Sequence, residues 1–260
     1  MGGESTTRTA PRSGGTGTAA SGGRLGQRLS GVAVALGLVL FLGGFGWAAL
    51  SYRPYTVPTS SMTPTIDAGN RVLAQRVDGD EVRRGDVVVF RDNSWVTGSD
   101  VVKRVVAVGG DTVSCCTDGK LTVNGKQIEE PYLPKGSLAE NQNFATVTVP
   151  KGRLFLLGDE RQGSLDSTAH LTDAAKGTVA RTAVIARVDA VVFPWKGGLK
   201  RPTGFEALGA LSQPGPLATI ELLSVVGAVL VLGGGAYGPI AKRAGRSRAR
   251  AARAEAAGVR

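Results

Sequence analysis

Asp100-Val101-Val102-Lys103-Arg104-Val105-Val106-Ala107-Val108-Gly109-Gly110-Asp111 is the stretch that decides the fold. Five valines in the eight positions between Asp100 and Gly109, closed by a Gly-Gly-Asp turn signal, read as a β-strand. The same texture recurs on both sides, at Arg71 to Arg76, Asp86 to Arg91, Leu154 to Leu157 and Ala183 to Phe193. Gly, Pro, Asn or Asp breaks these runs at intervals of about 8–12 residues. Leu121-Thr122-Val123-Asn124-Gly125-Lys126-Gln127-Ile128 is a hairpin signal, because Asn-Gly readily takes the positive φ angles of a type I′ turn. No helical periodicity of comparable strength and no internal repeat is legible here. Residues 52–198 are therefore expected to form a mainly β domain, sheet or barrel, with a smaller inserted β region at about 112–150.

Within the opening stretch one residue is out of place. Strand alternation puts Lys103 and Val105 on one face and Arg104 on the other, so the lysine faces burial. Desolvation disfavours an ammonium and lowers its pKa from about 10.4, leaving a lone pair free near neutrality. The plain alternative is an edge-strand lysine that discourages aggregation.

Two uncharged apolar runs flank the β region, Leu29 to Leu50 and Leu222 to Ala241. The first matches about 30 Å of hydrocarbon and carries Trp47 and Tyr52 near its outer end. Its length favours an anchor over a cleavable signal, whose apolar core is about 7–15 residues. Helices crossing a membrane are expected at 29–51 and 219–241. Residues 1–28 are expected to be a disordered basic tail, 199–218 a linker and 242–260 a second basic tail. The net charge of +10 is concentrated in those tails: residues 1–28 carry four Arg against one Glu, and 241–260 carry seven Lys or Arg against one Glu. The positive-inside rule then puts both tails in the cytoplasm and the β domain outside, at the plasma membrane. A nucleic-acid partner is not expected, because the region between the runs is nearly neutral.

Chemistry is narrowed by scarcity. His170 is the only histidine, set in a polar stretch without an obvious partner, so a Ser-His-Asp triad and a histidine-based metal site are both disfavoured. Cys115 and Cys116 are adjacent, which excludes a disulfide framework; a vicinal disulfide, two thiols or a contact to another chain all remain open. No metal site or cofactor is expected. What is left is a hydroxyl activated by an amine. Pro58-Thr59-Ser60-Ser61-Met62-Thr63-Pro64 lies just beyond the first apolar run, and its prolines stiffen the loop that presents Ser61.

The order of Ser61-Met62-Thr63-Pro64, then Gly85-Asp86-Val87-Val88-Val89-Phe90-Arg91, then Lys103-Arg104-Val105-Val106, then Gly158-Asp159-Glu160-Arg161 with Ser164-Leu165-Asp166-Ser167, resembles the bacterial type I signal peptidases, in their actinobacterial form. The resemblance covers residues 29 to 195. It implies a signal-peptidase-like β catalytic domain in which Ser61 is the nucleophile and Lys103 the general base. The Ser61 N–H and the Thr59 hydroxyl match the oxyanion hole. Ser164 matches a serine that hydrogen-bonds and orients the lysine, and Asp159 and Asp166 match structural acidic positions. Where the family has an Arg after Asp-Ser, this chain has Thr168, and Arg104 is the candidate substitute partner of Asp166.

The resemblance further implies a membrane-bound endopeptidase that cuts exported preproteins after small residues. Its partners would be signal peptides, the lipid bilayer and the export machinery. The peptide would add as a strand beside residues 55–59 and 100–102. A Ser-Lys self-cleaving repressor would need a helix-turn-helix ahead of Ser61, and none is legible. A non-catalytic membrane protein presenting a β domain is the reading from another class.

Overall fold

The structure, a computed structural model, describes residues 21–134, 136–137 and 143–258. In chain order it contains α1 (Ser21–Ser51), β1 (Tyr52–Thr56), β2 (Arg71–Arg76), β3 (Val87–Phe90), β4 (Val101–Val108), β5 (Thr112–Thr117), β6 (Lys120–Val123), β7 (Lys126–Gln127), β8 (Phe144–Thr148), β9 (Arg153–Leu157), β10 (Thr178–Ala180), β11 (Val184–Phe193), β12 (Trp195–Gly198) and α2 (Leu217–Gly258). The chain falls into two units, one from Gly46 to Ile220, the other made of the helical residues outside those bounds.

The first unit is mainly β, as its pattern requires. Seven strands pair in the order β1-β2-β11-β3-β4-β9-β10, with β12 folded back on β11; a second sheet has the order β7-β6-β5-β8. All pairings are antiparallel. The Asn124-Gly125 turn joins β6 to β7 with φ of 53° and 75°, the conformation its sequence calls for. Strand β4 is central: it pairs with β3 through Val88↔Lys103 and Val87↔Arg104, and with β9 through Arg104↔Leu157. Its register with β9 slips between Val105 and Ala107. Beyond that bulge, Val106 and Ala107 join the core beside β5, β6 and β9, while Val105 stays in the cluster with Phe90, Leu154 and Leu156. Cys115 and Cys116 are joined to each other in β5.

Residues 199–218, expected to be a linker, are instead packed. Phe205 is fully buried against Val106, Leu121 and Phe155, and Gly204 lies so close under the Glu129 carbonyl that a Cβ would sit 1.9 Å from its oxygen. Arg84 donates to the Leu208 carbonyl, and the Ser212 hydroxyl to buried Asp86. The Gly, Lys and Pro content masks one aromatic anchor. Phe205→Ala is accordingly expected to cost about 3–5 kcal/mol, read as a lowered thermal midpoint of the full chain.

The second unit contains the pair of long helices. Gly26–Ser51 and Leu217–Ile240 are long and apolar enough to cross a membrane, and only 11% and 17% of their apolar windows are buried, which sets them apart from core helices. The two pack through small residues: Gly37 lies against the backbone of Gly227 and Val231, and the Ser30 hydroxyl donates to the Gly234 carbonyl at 2.7 Å. Both helices overrun their expected ends. α1 begins at Ser21, inside the expected disordered tail, whose residues 1–20 lie outside the described residues. α2 continues through Pro239 and the Ala/Arg-rich stretch to Gly258, since alanine and arginine are strong helix formers.

Candidate active site

Ser61 is presented by the loop between β1 and β2. The loop is closed at its neck by Val57 N–H donating to Asn70 O (2.9 Å) and Gly69 N–H donating to Val57 O (2.7 Å). Met62 and Ile66 are fully buried among Val72, Val89 and Val188, so the residue after the serine is a core anchor. That plug fixes where the serine points.

It points at Lys103. Lys103 Nζ and Ser61 Oγ are 2.6 Å apart, and the two residues are 4% and 8% exposed. Burial lowers the Lys103 pKa from 10.5 to about 8, against the pull of the nearby carboxylates Asp166 and Asp159, which favour its charge. The lysine therefore has a substantial neutral fraction at mildly alkaline pH. The Thr59 hydroxyl lies 3.3 Å from Ser61 Oγ. These three residues line a cleft of about 360 Å³ whose sides include Tyr55 to Ser60 on one hand and Ser99 to Val102 on the other.

The turn after β9 backs this pair. Glu160 N–H donates to the Ser61 carbonyl at 3.1 Å, and the Thr65 hydroxyl donates to Asp159. Gly158 is required where the turn meets the serine, because a Cβ there would lie 2.5 Å from Ser61 O and 2.2 Å from Ser164 Oγ. Arg104 does not pair with Asp166, as the sequence suggested. Its guanidinium grips Asp159 through two bonds of 2.8 and 2.6 Å, with side chains 3% and 0% exposed, and also donates to Gly85 O. Asp166 needs no arginine: it accepts from the Gly158 N–H, the Thr168 N–H and the Thr168 hydroxyl. Thr168, standing where the family has Arg, satisfies the carboxylate locally.

Ser164 is a second correction. It forms no bond to Lys103; its Oγ is buried beside Gly158 without a hydrogen-bond partner among the described residues.

Three contributors escaped the sequence reading. Arg104 lies 3.9 Å from the Tyr132 ring centroid, Tyr132 donates to Glu130, and Glu130 holds Arg161 through bonds of 2.8 and 2.5 Å. Arg161 Nε then donates to Gly158 O at 3.0 Å, closing a ring of contacts around the turn. Glu130-Pro131-Tyr132 follows the small hairpin with no motif to mark it, and only the fold brings it under β4.

Comparison with known proteins gives the family. Residues 28–195 match the family model described as signal peptidase, peptidase S26. A signal peptidase I of Mycobacterium tuberculosis is 34% identical over 55% of this chain and 65% of its own length, so the chain spans about two thirds of that relative. Signal peptidase I T of Bacillus subtilis is 33% identical over 55% of this chain and 75% of its own length. A crystal structure of a signal peptidase I from Enterococcus faecalis aligns with a TM-score of 0.33 at 28% identity, over 45% of this chain and 96% of that one. With the family model covering more than half of its residues, the chain belongs to the signal peptidase family, peptidase S26.

Proposed function

We propose that this protein is a membrane-bound serine endopeptidase that removes signal peptides from exported preproteins, cutting after small side chains. The observation that carries the reading is the 2.6 Å approach of a buried, pKa-lowered Lys103 amine to Ser61 Oγ. In this mechanism the neutral amine takes the Ser61 proton as the oxygen attacks the scissile carbonyl. The Thr59 hydroxyl and the Ser61 N–H stabilise the oxyanion. Lys103 returns the proton to the leaving amine, and then activates the water that hydrolyses the acyl-enzyme.

The cleft supports the substrate class. An extended peptide laid between Tyr55–Thr59 and Asp100–Val102 would end at Ser61, with Val57, Val89 and Val102 among the apolar residues lining its path. The two apolar helices, each followed or preceded by basic residues, support a multi-pass anchor with the β domain on the outer face. The bilayer and the export machinery are the surroundings this implies.

The test is cleavage by the full chain in detergent of a preprotein with alanine one and three residues before the bond. Cleavage there, abolished by a bulky residue at the first position, is expected; an intact preprotein would contradict the reading. Thr59→Val is expected to lower kcat about 10²-fold with KM little changed, and Thr59→Ser to retain activity, measured on the same substrate.

A further inference from the structure

His170, the single histidine, has the partners that its polar stretch did not reveal. Its ring stacks on Trp95 with centroids 4.5 Å apart and planes 10° from parallel, and its Nδ1 meets Asp173 Oδ2 at 2.8 Å. The side chain is 19% exposed. Trp95 in turn packs T-shaped with Phe90, their ring centroids 5.3 Å apart.

The two stacked residues belong to two chain segments that both contribute to the lining of the cleft. Trp95 lies in the turn between β3 and β4, whose Val96 and Ser99 line the cleft. His170 follows the segment whose Gly163 and Leu165 also line it, while Gln162, Ser164 and Asp166 of that segment face a separate cavity of about 310 Å³. The His170 end is fixed to β9: its N–H donates to Ser167 O, and Ser167 exchanges bonds with Leu156 through both its N–H and its hydroxyl. Leu165, 75% exposed, is thus an apolar side chain held at the mouth of the cleft by buried neighbours. Nothing in the bonding of Lys103 and Ser61 passes through the stack.

We propose that the Trp95–His170 stack is a positioning clasp that holds the turn carrying Val96 and Ser99 to the segment carrying Gly163 and Leu165, so that both keep their place in the cleft lining against the bound peptide. It rests on the endopeptidase reading above, and it assigns His170 a role in substrate affinity and none in proton transfer. Ring stacking is the active feature, so a flat apolar ring should replace the imidazole.

The experiment is steady-state cleavage of the preprotein by full-length wild type, His170→Ala, His170→Phe and Trp95→Ala, with thermal midpoints recorded beside it. His170→Ala is expected to raise KM about three- to tenfold with kcat within about twofold, the size of one lost stack. His170→Phe is expected to restore the wild-type KM. An unchanged KM in His170→Ala, or a fall in kcat alone that tracks the folded fraction, would overturn the clasp. Should Trp95→Ala fail to fold for want of its Phe90 contact, the two His170 variants decide. A wild type that leaves the preprotein intact would remove the endopeptidase reading and the clasp with it; a cleaving wild type with an indifferent His170→Ala removes the clasp alone.

Discussion

Lys103→Ala in the full chain is expected to lower kcat/KM on the preprotein by about 10⁴-fold or more, with the fold retained. A serine hydroxyl is a poor nucleophile until a base takes its proton, and Lys103 Nζ is the amine within hydrogen-bonding distance of Ser61 Oγ. His170 does not take over, since its Nδ1 meets Asp173 and it makes no hydrogen bond to Ser61 among the described residues. Lys103→Arg is expected to fail equally, because a guanidinium stays charged and has no lone pair to offer. Wild-type kcat/KM should rise about tenfold per pH unit on the acid side and level off near pH 8, where burial has placed the amine. The sign follows from the base being the unprotonated form. Full activity in Lys103→Ala would contradict the dyad.

The second large effect concerns stability. Arg104→Ala is expected to cost about 3–5 kcal/mol, because it leaves Asp159, fully buried, without its bidentate partner. At about 2–4 °C per kcal/mol for a chain of this size, the thermal midpoint should fall by roughly 10 °C. Asp159→Ala should do comparable damage, and the double variant less than the sum, since neither then strands a buried charge. Activity should fall further than the folded fraction accounts for, because the turn carrying Asp159 also supplies the Glu160 N–H that holds the Ser61 carbonyl. A cost under about 1 kcal/mol in either single variant would place the pair among solvated surface bridges.

What was legible in the sequence follows physical lines. The strands were, because runs such as Val87–Phe90 and Val101–Val108 combine β-branched side chains with sharp turn signals at both ends. The Asn124-Gly125 hairpin was, because its φ angles are local. Ser61 and Lys103 were legible only through the order of motifs that resembles the type I signal peptidases, since an edge-strand lysine is the plainer reading of Lys103 taken alone; the structure puts the two side chains 2.6 Å apart.

The misses share a cause. Helix ends were set where charge begins, yet α2 runs on through Lys242 and Arg243, since charge ends a membrane span and not a helix. The stretch around Phe205 looked like a linker because one buried aromatic among Gly and Pro barely moves a composition average. Arg104 was assigned to Asp166 by looking for a charge to replace a missing arginine, whereas Thr168 satisfies that carboxylate with two short local bonds and frees Arg104 for Asp159. Glu130 and Tyr132 reach the site only through the pairing of sheets far apart in sequence, which no local pattern encodes.

The proposed chemistry depends on the ionisation of one amine. Selectively labelled lysine followed by NMR through a pH titration of the full chain in detergent, with Lys103→Ala to assign the signal, measures it directly. A Lys103 resonance titrating near pH 8, well below the exposed lysines, is the predicted result. One that titrates with the others, above about pH 10, would leave Ser61 facing a permanent cation and would contradict the proposed chemistry.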